Sequence, residues 1–273
     1  MKWETMSGND FDNTELAKWD PEFIEQVRKV CDPIAKLWFR AEVRGLEFLP
    51  PAGGALLVSN HSGGAMTPDL LVLAPAFYEK FGYDRPLYTL GHDGLFKLPL
   101  AATLRKIGVI HASPENAVKA LLSSGIVLVF PGGDYDAYRS TFAQNTINFH
   151  GRKGYVRAAI EAGVPIVPSV SIGGQETQLF LMRGDRLAKR LGLHRFRMEI
   201  LPLGLGLPFG LTSTIPANFP LPSKIVTEVL KPIDIPAQFG ADPDVDEVDA
   251  HVRAVMQEAL DRLARQRRFP VLG

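Results

Sequence analysis

From Pro21 onward apolar residues recur at spacings of three and four: Phe23, Val27, Val30, Ile34 and Leu37. That period lines them up on one stripe of a helix. Asp20 followed by Pro21 supplies an N-cap and a first turn, and Pro33 predicts a kink. Trp38 and Phe39 add aromatic weight at its end. Before this helix the chain is polar, with Trp3, Phe11 and Trp19 scattered through it. After it, short apolar runs alternate with helical segments. The pattern predicts strands near 54–59, 86–90, 107–110, 126–130, 165–172, 196–201 and 225–230, and helices near 69–81, 94–105, 115–124, 153–162, 178–191 and 245–267. That order predicts an α/β fold: a mostly parallel central sheet covered by helices, with an N-terminal amphipathic helical extension. The division expected is a segment 1–45 carrying the amphipathic helix and a domain 46–273.

Two stretches depart from this rhythm. The last helix places Val248, Val252, Val255, Leu260 and Leu263 on an apolar face and ends in Arg262, Arg265, Arg267 and Arg268. Cations there suit the carboxyl end of the helix dipole, or an anionic lipid surface. Residues 200–223 carry no charge, five prolines and three glycines. No regular membrane helix forms from such a run. It reads as short buried strands and turns, as the wall of an acyl-chain pocket, or as a segment that dips into a membrane interface.

Composition narrows the function. Lys plus Arg and Asp plus Glu both total 30, so no global basic field points to nucleic acid. The single cysteine, Cys31, excludes an internal disulfide framework and a cysteine-based zinc site, and fits a reducing, cytoplasmic setting. No stretch has the length of apolar chain that spans a bilayer. No cluster has metal-ligand spacing, so neither metal nor cofactor is expected.

The candidate chemistry sits where strands end, which is where ligands collect in open α/β sheets. Strand 54–59 runs into Asn60-His61-Ser62-Gly63-Gly64, strand 86–90 into Gly91-His92-Asp93, strand 126–130 into Pro131-Gly132-Gly133-Asp134-Tyr135-Asp136, and strand 165–172 into Gly173-Gly174-Gln175-Glu176. Three double-glycine loops imply backbone exposed at one shared crevice. His61 and Asp69 form the sharpest pair. An imidazole suits proton abstraction from a hydroxyl, and a carboxylate on its other nitrogen fixes the tautomer. Asp69 also reads simply as the second position of a helix capped by Thr67. His92-Asp93 is a secondary pair, with Asp93 equally suited to capping the helix that follows. Cys31 reads as a structural thiol.

NHSGGAMTPD (60–69) resembles the first sequence block of the glycerolipid (lysophosphatidate-type) acyltransferase superfamily: Asn-His, a spacer, then Asp. Gly108 to His111 through Glu115 to Ala117 resembles the second block. FPGGDYDAYR (130–139) resembles the third, in the Pro-Gly-Gly form of the diacylglycerol and monoacylglycerol acyltransferase-like branch, and GRKGYVRAAIEAGVPIVPSV (151–170) resembles the fourth. Four blocks in order, over roughly residues 35–235, make the resemblance specific.

The resemblance implies transfer of a fatty acyl group from acyl-CoA or acyl carrier protein to a hydroxyl of a lipid acceptor, without a covalent enzyme intermediate. His61 would be the general base and Asp69 would orient it. Amides near Gly132 and Gly133 would meet the oxyanion, with Asp134 and Asp136 in the same substrate loop. Arg139, Arg152 and Lys153 would hold carrier phosphates, or are surface charges. The family's usual first block has four residues between His and Asp, and here there are seven, with Met66 five after His61. If the loop fails to bring Asp69 back, Asp134, Asp136 or Asp93 would replace it. Pro114 and Gly132 stand where the glycerophosphate-binding branch has arginine and glutamate, which favours an acceptor without that phosphate. A thioesterase using the same base on water, and a non-catalytic lipid-binding protein, are the alternatives. The expected setting is cytoplasmic, peripheral on the inner face of a membrane, with the N-terminal helix packed on the sheet or lying at the interface.

Overall fold

The structure is a computed structural model that describes residues 15–143, 145–196, 200–214, 216–269 and 271–272, without the side chains of His194 and Phe196. Its centre is a seven-stranded sheet of β1 (Glu42–Arg44), β2 (Ala55–Ser59), β3 (Leu87–Gly91), β4 (Val109–His111), β5 (Ile126–Val129), β6 (Ile166–Ile172) and β10 (Val226–Val229). The spatial order is β1-β10-β6-β2-β5-β3-β4. β6, β2, β5, β3 and β4 run parallel, while β10 pairs antiparallel with β6 and carries β1 parallel to itself. The mostly parallel sheet is therefore present, with a reversed edge. β1 is too short to show a period, and the sequence pattern did not disclose it.

β2 and β6 are buried along their whole length, as strands covered on both faces must be. The two-residue period sorts β2 between two cores. Leu56 and Val58 face a core with residues of α4 (Pro114–Leu122), α6 (Gly154–Ala162) and α9 (Val245–Gln266). Ala55 and Leu57 face a second core with α1 (Pro21–Pro33) and α2 (Pro68–Phe81). α9 contributes Val248, Val252, Met256, Ala259, Leu260 and Leu263; Met256 takes the buried place that the pattern gave to Val255.

α1 starts as its sequence dictates, with the Asp20 carboxylate accepting from the Phe23 amide at 3.0 Å. Pro33 does not break it. The ladder widens after it, so that the Phe39 amide reaches the Ile34 carbonyl at 3.0 Å, a π-type turn over Ile34–Trp38. Ile24 enters the second core, and Trp19 Nε1 and the Arg28 guanidinium donate to the hydroxyls of Tyr78 and Tyr83. Val30, Leu37 and Trp38 stay exposed. The helix thus packs on α2 along one edge and leaves the other uncovered. Cys31 lies half-buried on it, and burial pushes its thiol pKa up, as suits an inert thiol.

Two expected helices are corrected. Over 94–105 the chain forms a tight turn at Asp93–Lys97 and then a short α3 (Ala101–Lys106). Pro99 forces Leu98 into an extended conformation (ψ 154°), which no continuous helix accommodates. Over 178–191 the structure has β7 (Leu179–Met182) and then α7 (Asp185–Arg190), separated by Gly184 in the left-handed region. β7 joins β8 (Leu203–Gly206) and β9 (Gly210–Thr212) in a small antiparallel sheet, which occupies part of the uncharged 200–223 run. Of the strand expected at 196–201, residues 197–199 lie outside the described residues. Two short helices, α5 (Gly133–Ala137) and α8 (Ile235–Phe239), complete the chain. Among the described residues no helix is long and apolar enough to cross a membrane.

Leu57, fully buried between β2 and α2, tests this core. Leu57→Ala is expected to lower the unfolding free energy by about 3 kcal/mol in urea denaturation, through lost burial and the cavity left behind.

Candidate active site

β2, β5 and β6 are neighbours and parallel, so the loops after Ser59, Val129 and Ile172 emerge side by side. Asn60 fastens the first loop to the end of β6: its side-chain amide donates to the Ser171 carbonyl at 2.8 Å and accepts from the Ser171 amide at 2.7 Å. Gly63, Gly64 and Thr67 then adopt left-handed conformations (φ 72°, 61° and 43°). These turn the seven-residue spacer back on itself. Asp69, at the start of α2, lies 3.3 Å from His61 Nδ1 through its Oδ2. The same carboxylate accepts from the Ser62 amide at 2.7 Å and from the Ser62 hydroxyl at 2.9 Å. Thr67 makes no side-chain cap. Asp69 is 3% exposed, so its charge is held by these donors and by the amino end of α2.

The His61 ring stacks on Phe130 at 4.4 Å between centroids, and its backbone amide donates to Asp136 Oδ2 at 2.8 Å. With Nδ1 facing a carboxylate, the tautomer that donates there leaves the Nε2 lone pair free to take a proton. Asp136 is also 3% exposed and forms a close ion pair with Arg139. Burial pushes its pKa from 3.8 up to about 6, against the opposing pull of Arg139 and the His61 amide and with a further push from Asp69. Behind His61 lies a polar cavity of about 20 Å³, room for one water, between Asn60, Asp136, Arg139 and Gln175. Gly174 closes the arrangement from β6: a methyl there would overlap Ser62 Oγ and stand 2.8 Å from Asp69 Oδ1.

Residues 40–172 match the family model described as Acyltransferase. An uncharacterized protein of Mycobacterium tuberculosis is 35% identical over 263 residues, 93% of this chain and 70% of that one. The DGAT1/2-independent enzyme synthesizing storage lipids of Bos taurus is 31% identical over 206 residues, 75% of this chain and 59% of that one. Among solved structures, the 1-acyl-sn-glycerophosphate (LPA) acyltransferase PlsC of Thermotoga maritima shares the fold, with a TM-score of 0.51, 19% identity, and 88% and 82% of the two chains covered. The chain belongs to the glycerolipid acyltransferase superfamily. It is an acyltransferase, and the four sequence blocks mark that membership.

The remaining candidate residues of this acyltransferase divide. The Gly133 amide donates to the Phe130 carbonyl at 3.0 Å, which closes the turn. The Gly132 carbonyl accepts from Arg152 at 3.1 Å, and the other end of Arg152 holds Asp134 at 2.8 Å. Arg139 spans Asp136 and the Thr146 carbonyl, and Lys153 pairs with Asp246 at the start of α9 at 2.7 Å. The three cations expected to hold a carrier phosphate are thus in ion pairs that brace the third block and α9. His92 accepts from the Gly94 amide, and Asp93 pairs with His111, which stacks on Phe96. Both belong to β3 and β4, with β5 between them and β2. At the basic end of α9, Arg262 pairs with Glu228 at 2.5 Å and Arg267 with Glu176 at 2.7 Å.

Sequence reasoning passed over Ser62, Phe130 and the clasp between Asn60 and Ser171. Position in the loops was the available signal; the hydrogen bonds themselves required the fold. Two expectations follow from this geometry. Gly174→Ala should cut turnover at least tenfold with intact far-ultraviolet circular dichroism, because the added methyl displaces Ser62 and Asp69 together; thiol-release rates check it. Asp136 keeps its proton in the folded state to about pH 6 but loses it near 3.8 when unfolded. It therefore makes folding less favourable as pH rises through that window, with no further change above it. Urea titrations of wild type and Asp136→Asn at pH 4 and 7 should show the stability difference moving in favour of the variant by about 2 kcal/mol.

Proposed function

We propose that the protein transfers a fatty acyl group from a thioester carrier, acyl-CoA or acyl carrier protein, to the hydroxyl of a lipid acceptor at a membrane surface. The observation that carries this reading is the His61–Asp69 contact, 3.3 Å across a loop whose length differs from the family's usual spacing. Asp69 holds the imidazole through Nδ1, and Nε2 takes the acceptor's hydroxyl proton as its oxygen attacks the thioester carbon. The carbon–sulfur bond then breaks, the thiolate leaves, and the proton on Nε2 passes to it. Asp69 stabilises the imidazolium between the two transfers and is not itself protonated. Asp136 and Arg139 act through the backbone of His61 and fix where the ring begins.

A neutral acceptor such as monoacylglycerol or diacylglycerol fits best. Arg139, Arg152 and Lys153 are already matched by carboxylates, and a relative 31% identical bears the name of a storage-lipid enzyme. Thiol release from palmitoyl-CoA tests the reading, with wild type and His61→Ala and with monoacylglycerol, diacylglycerol and lysophospholipids in turn. Release that requires one acceptor, yields a new acylated lipid by mass spectrometry and falls about a hundredfold or more in His61→Ala is the expected outcome. Release that ignores every acceptor but needs His61 would make the protein a thioesterase instead.

A further inference from the structure

The small sheet of β7, β8 and β9 has two unlike faces. Its register sets Phe180 against Gly204 on one side, and Leu179, Leu205 and Leu211 in a row on the other. Phe180 is buried. Its ring closes on Gly64, where a methyl would come within 2.7 Å of it, and meets Tyr138 edge-on at 5.3 Å. The inner face therefore lies on the turn that joins His61 to Asp69. The outer face is uncovered: Leu205, Leu207, Phe209 and Leu211 are 45%, 74%, 54% and 62% exposed.

The uncovered face extends beyond the sheet. The Phe219 amide donates to the Leu207 carbonyl at 2.7 Å, and the next residue, Pro220, accepts from Trp38 Nε1 at 2.9 Å. Phe219 and Trp38, 66% and 46% exposed, thus continue the apolar surface onto the end of the N-terminal helix. A contiguous apolar area of this kind on a protein surface marks an interaction site. Cations stand beside it. α7 follows β7 after two residues, and Arg186, Lys189, Arg190 and, just past it, Arg195 are exposed and paired with no carboxylate among the described residues. The hairpin also satisfies its own backbone at the tip: the Asn218 side chain accepts from the Phe209 amide at 3.1 Å and donates to the Gly210 carbonyl at 2.9 Å.

We propose that the β8–β9 hairpin, with Trp38 and Phe219, is the surface by which the protein docks on an anionic lipid bilayer, with α7 supplying the cations that meet the headgroups. Leucine and phenylalanine side chains enter the acyl boundary, aromatic rings sit at headgroup depth, and arginine and lysine face anionic phosphates. β9 is an edge strand with unpaired backbone groups, which limits insertion to the interface. Charge complementarity selects this occupant: a second copy of the chain would set the same cations against each other. The inference rests on the proposed function in one respect, that the acceptor resides in the bilayer, and it places the docked face directly over the His61 turn.

Vesicle sedimentation with the full chain tests it, using equimolar phosphatidylglycerol and phosphatidylcholine against phosphatidylcholine alone. Wild type is expected to bind the mixed vesicles, less so in high salt. Leu207→Ser with Phe209→Ser should lower partition at least tenfold, and Arg186→Glu with Lys189→Glu and Arg190→Glu should abolish the preference for the anionic vesicles. All five side chains are exposed, so circular dichroism should stay unchanged. Turnover of a water-soluble short-chain acceptor should also persist in the Leu207/Phe209 variant while turnover of a vesicle-embedded one falls. Wild-type partition in that variant, no wild-type binding to either vesicle, or a wild-type dimer dispersed by the same substitutions in sedimentation velocity would each overturn the proposal. Binding is read without turnover, so a failure of the acyl-transfer reading would appear separately, as an active His61→Ala protein.

Discussion

The buried carboxylate of Asp69 is the constraint on which the site is built. A carboxylate 3% exposed is tolerated only where donors replace the water it has lost, and the donors it has here belong to the His61-Ser62 pair. The demand runs in both directions. Asp69 orients the imidazole, and the need to satisfy Asp69 folds residues 60–69 into their turn. The left-handed residues in that turn are the conformational cost of closing a seven-residue spacer, and two glycines carry most of it. Gly174 lacks a side chain for the same reason: the third loop must approach Ser62 and Asp69 closely enough to shut water out.

A second carboxylate is set behind the first, and its role is different. Asp136 holds the backbone of His61 rather than its ring, and is itself held by Arg139. Two buried acids near one imidazole compete for ionisation, which is part of why Asp136 binds its proton more tightly than an exposed aspartate. The third-block loop thus contributes its acids and Arg139 to the frame of the site. Arg139 ties Asp136 to the Thr146 carbonyl, and Arg152 of the fourth block holds Asp134 and the Gly132 carbonyl, so the loop meets His61 as a braced wall.

Much of this was legible in the sequence. Strands β2, β5 and β6 announce themselves as apolar runs because both their faces are buried, and the glycine pairs after them mark where the backbone crowds together. The His61–Asp69 pair was legible as residue types, while its closure was not: a spacer of seven can open or fold, and what folds it is the hydrogen bonding of Ser62 to Asp69 within the loop and the packing of Phe180 from distant chain. Helix 178–191 was misread because a four-residue strand shows too few alternations to override a run of good helix formers. The ion pairs of Arg139, Arg152 and Lys153 were not legible, because charge without a visible partner reads as free, and their partners lie up to 93 residues away.

The uncharged run 200–223 resolves only when its periodicity is read strand by strand. Leu201, Leu203, Leu205, Leu207, Phe209 and Leu211 occupy alternate positions, and the glycines at 204, 206 and 210 fall on the other face. Alternation of that kind normally points the large residues into a core, as in β2. Here the inner face is nearly without side chains, so that β8 can lie flat against Phe180, and the leucines point away from the protein. A sheet built in this sense gives up the burial that usually stabilises a strand. It is held by Phe180, seated between Gly64 and Tyr138 at the turn that presents His61, and by hydrogen bonds of Thr141 and Ser140 with the backbone of Phe180 and Leu181. Whatever covers the outer leucines therefore bears on a sheet that packs, through Phe180, on the turn presenting the base.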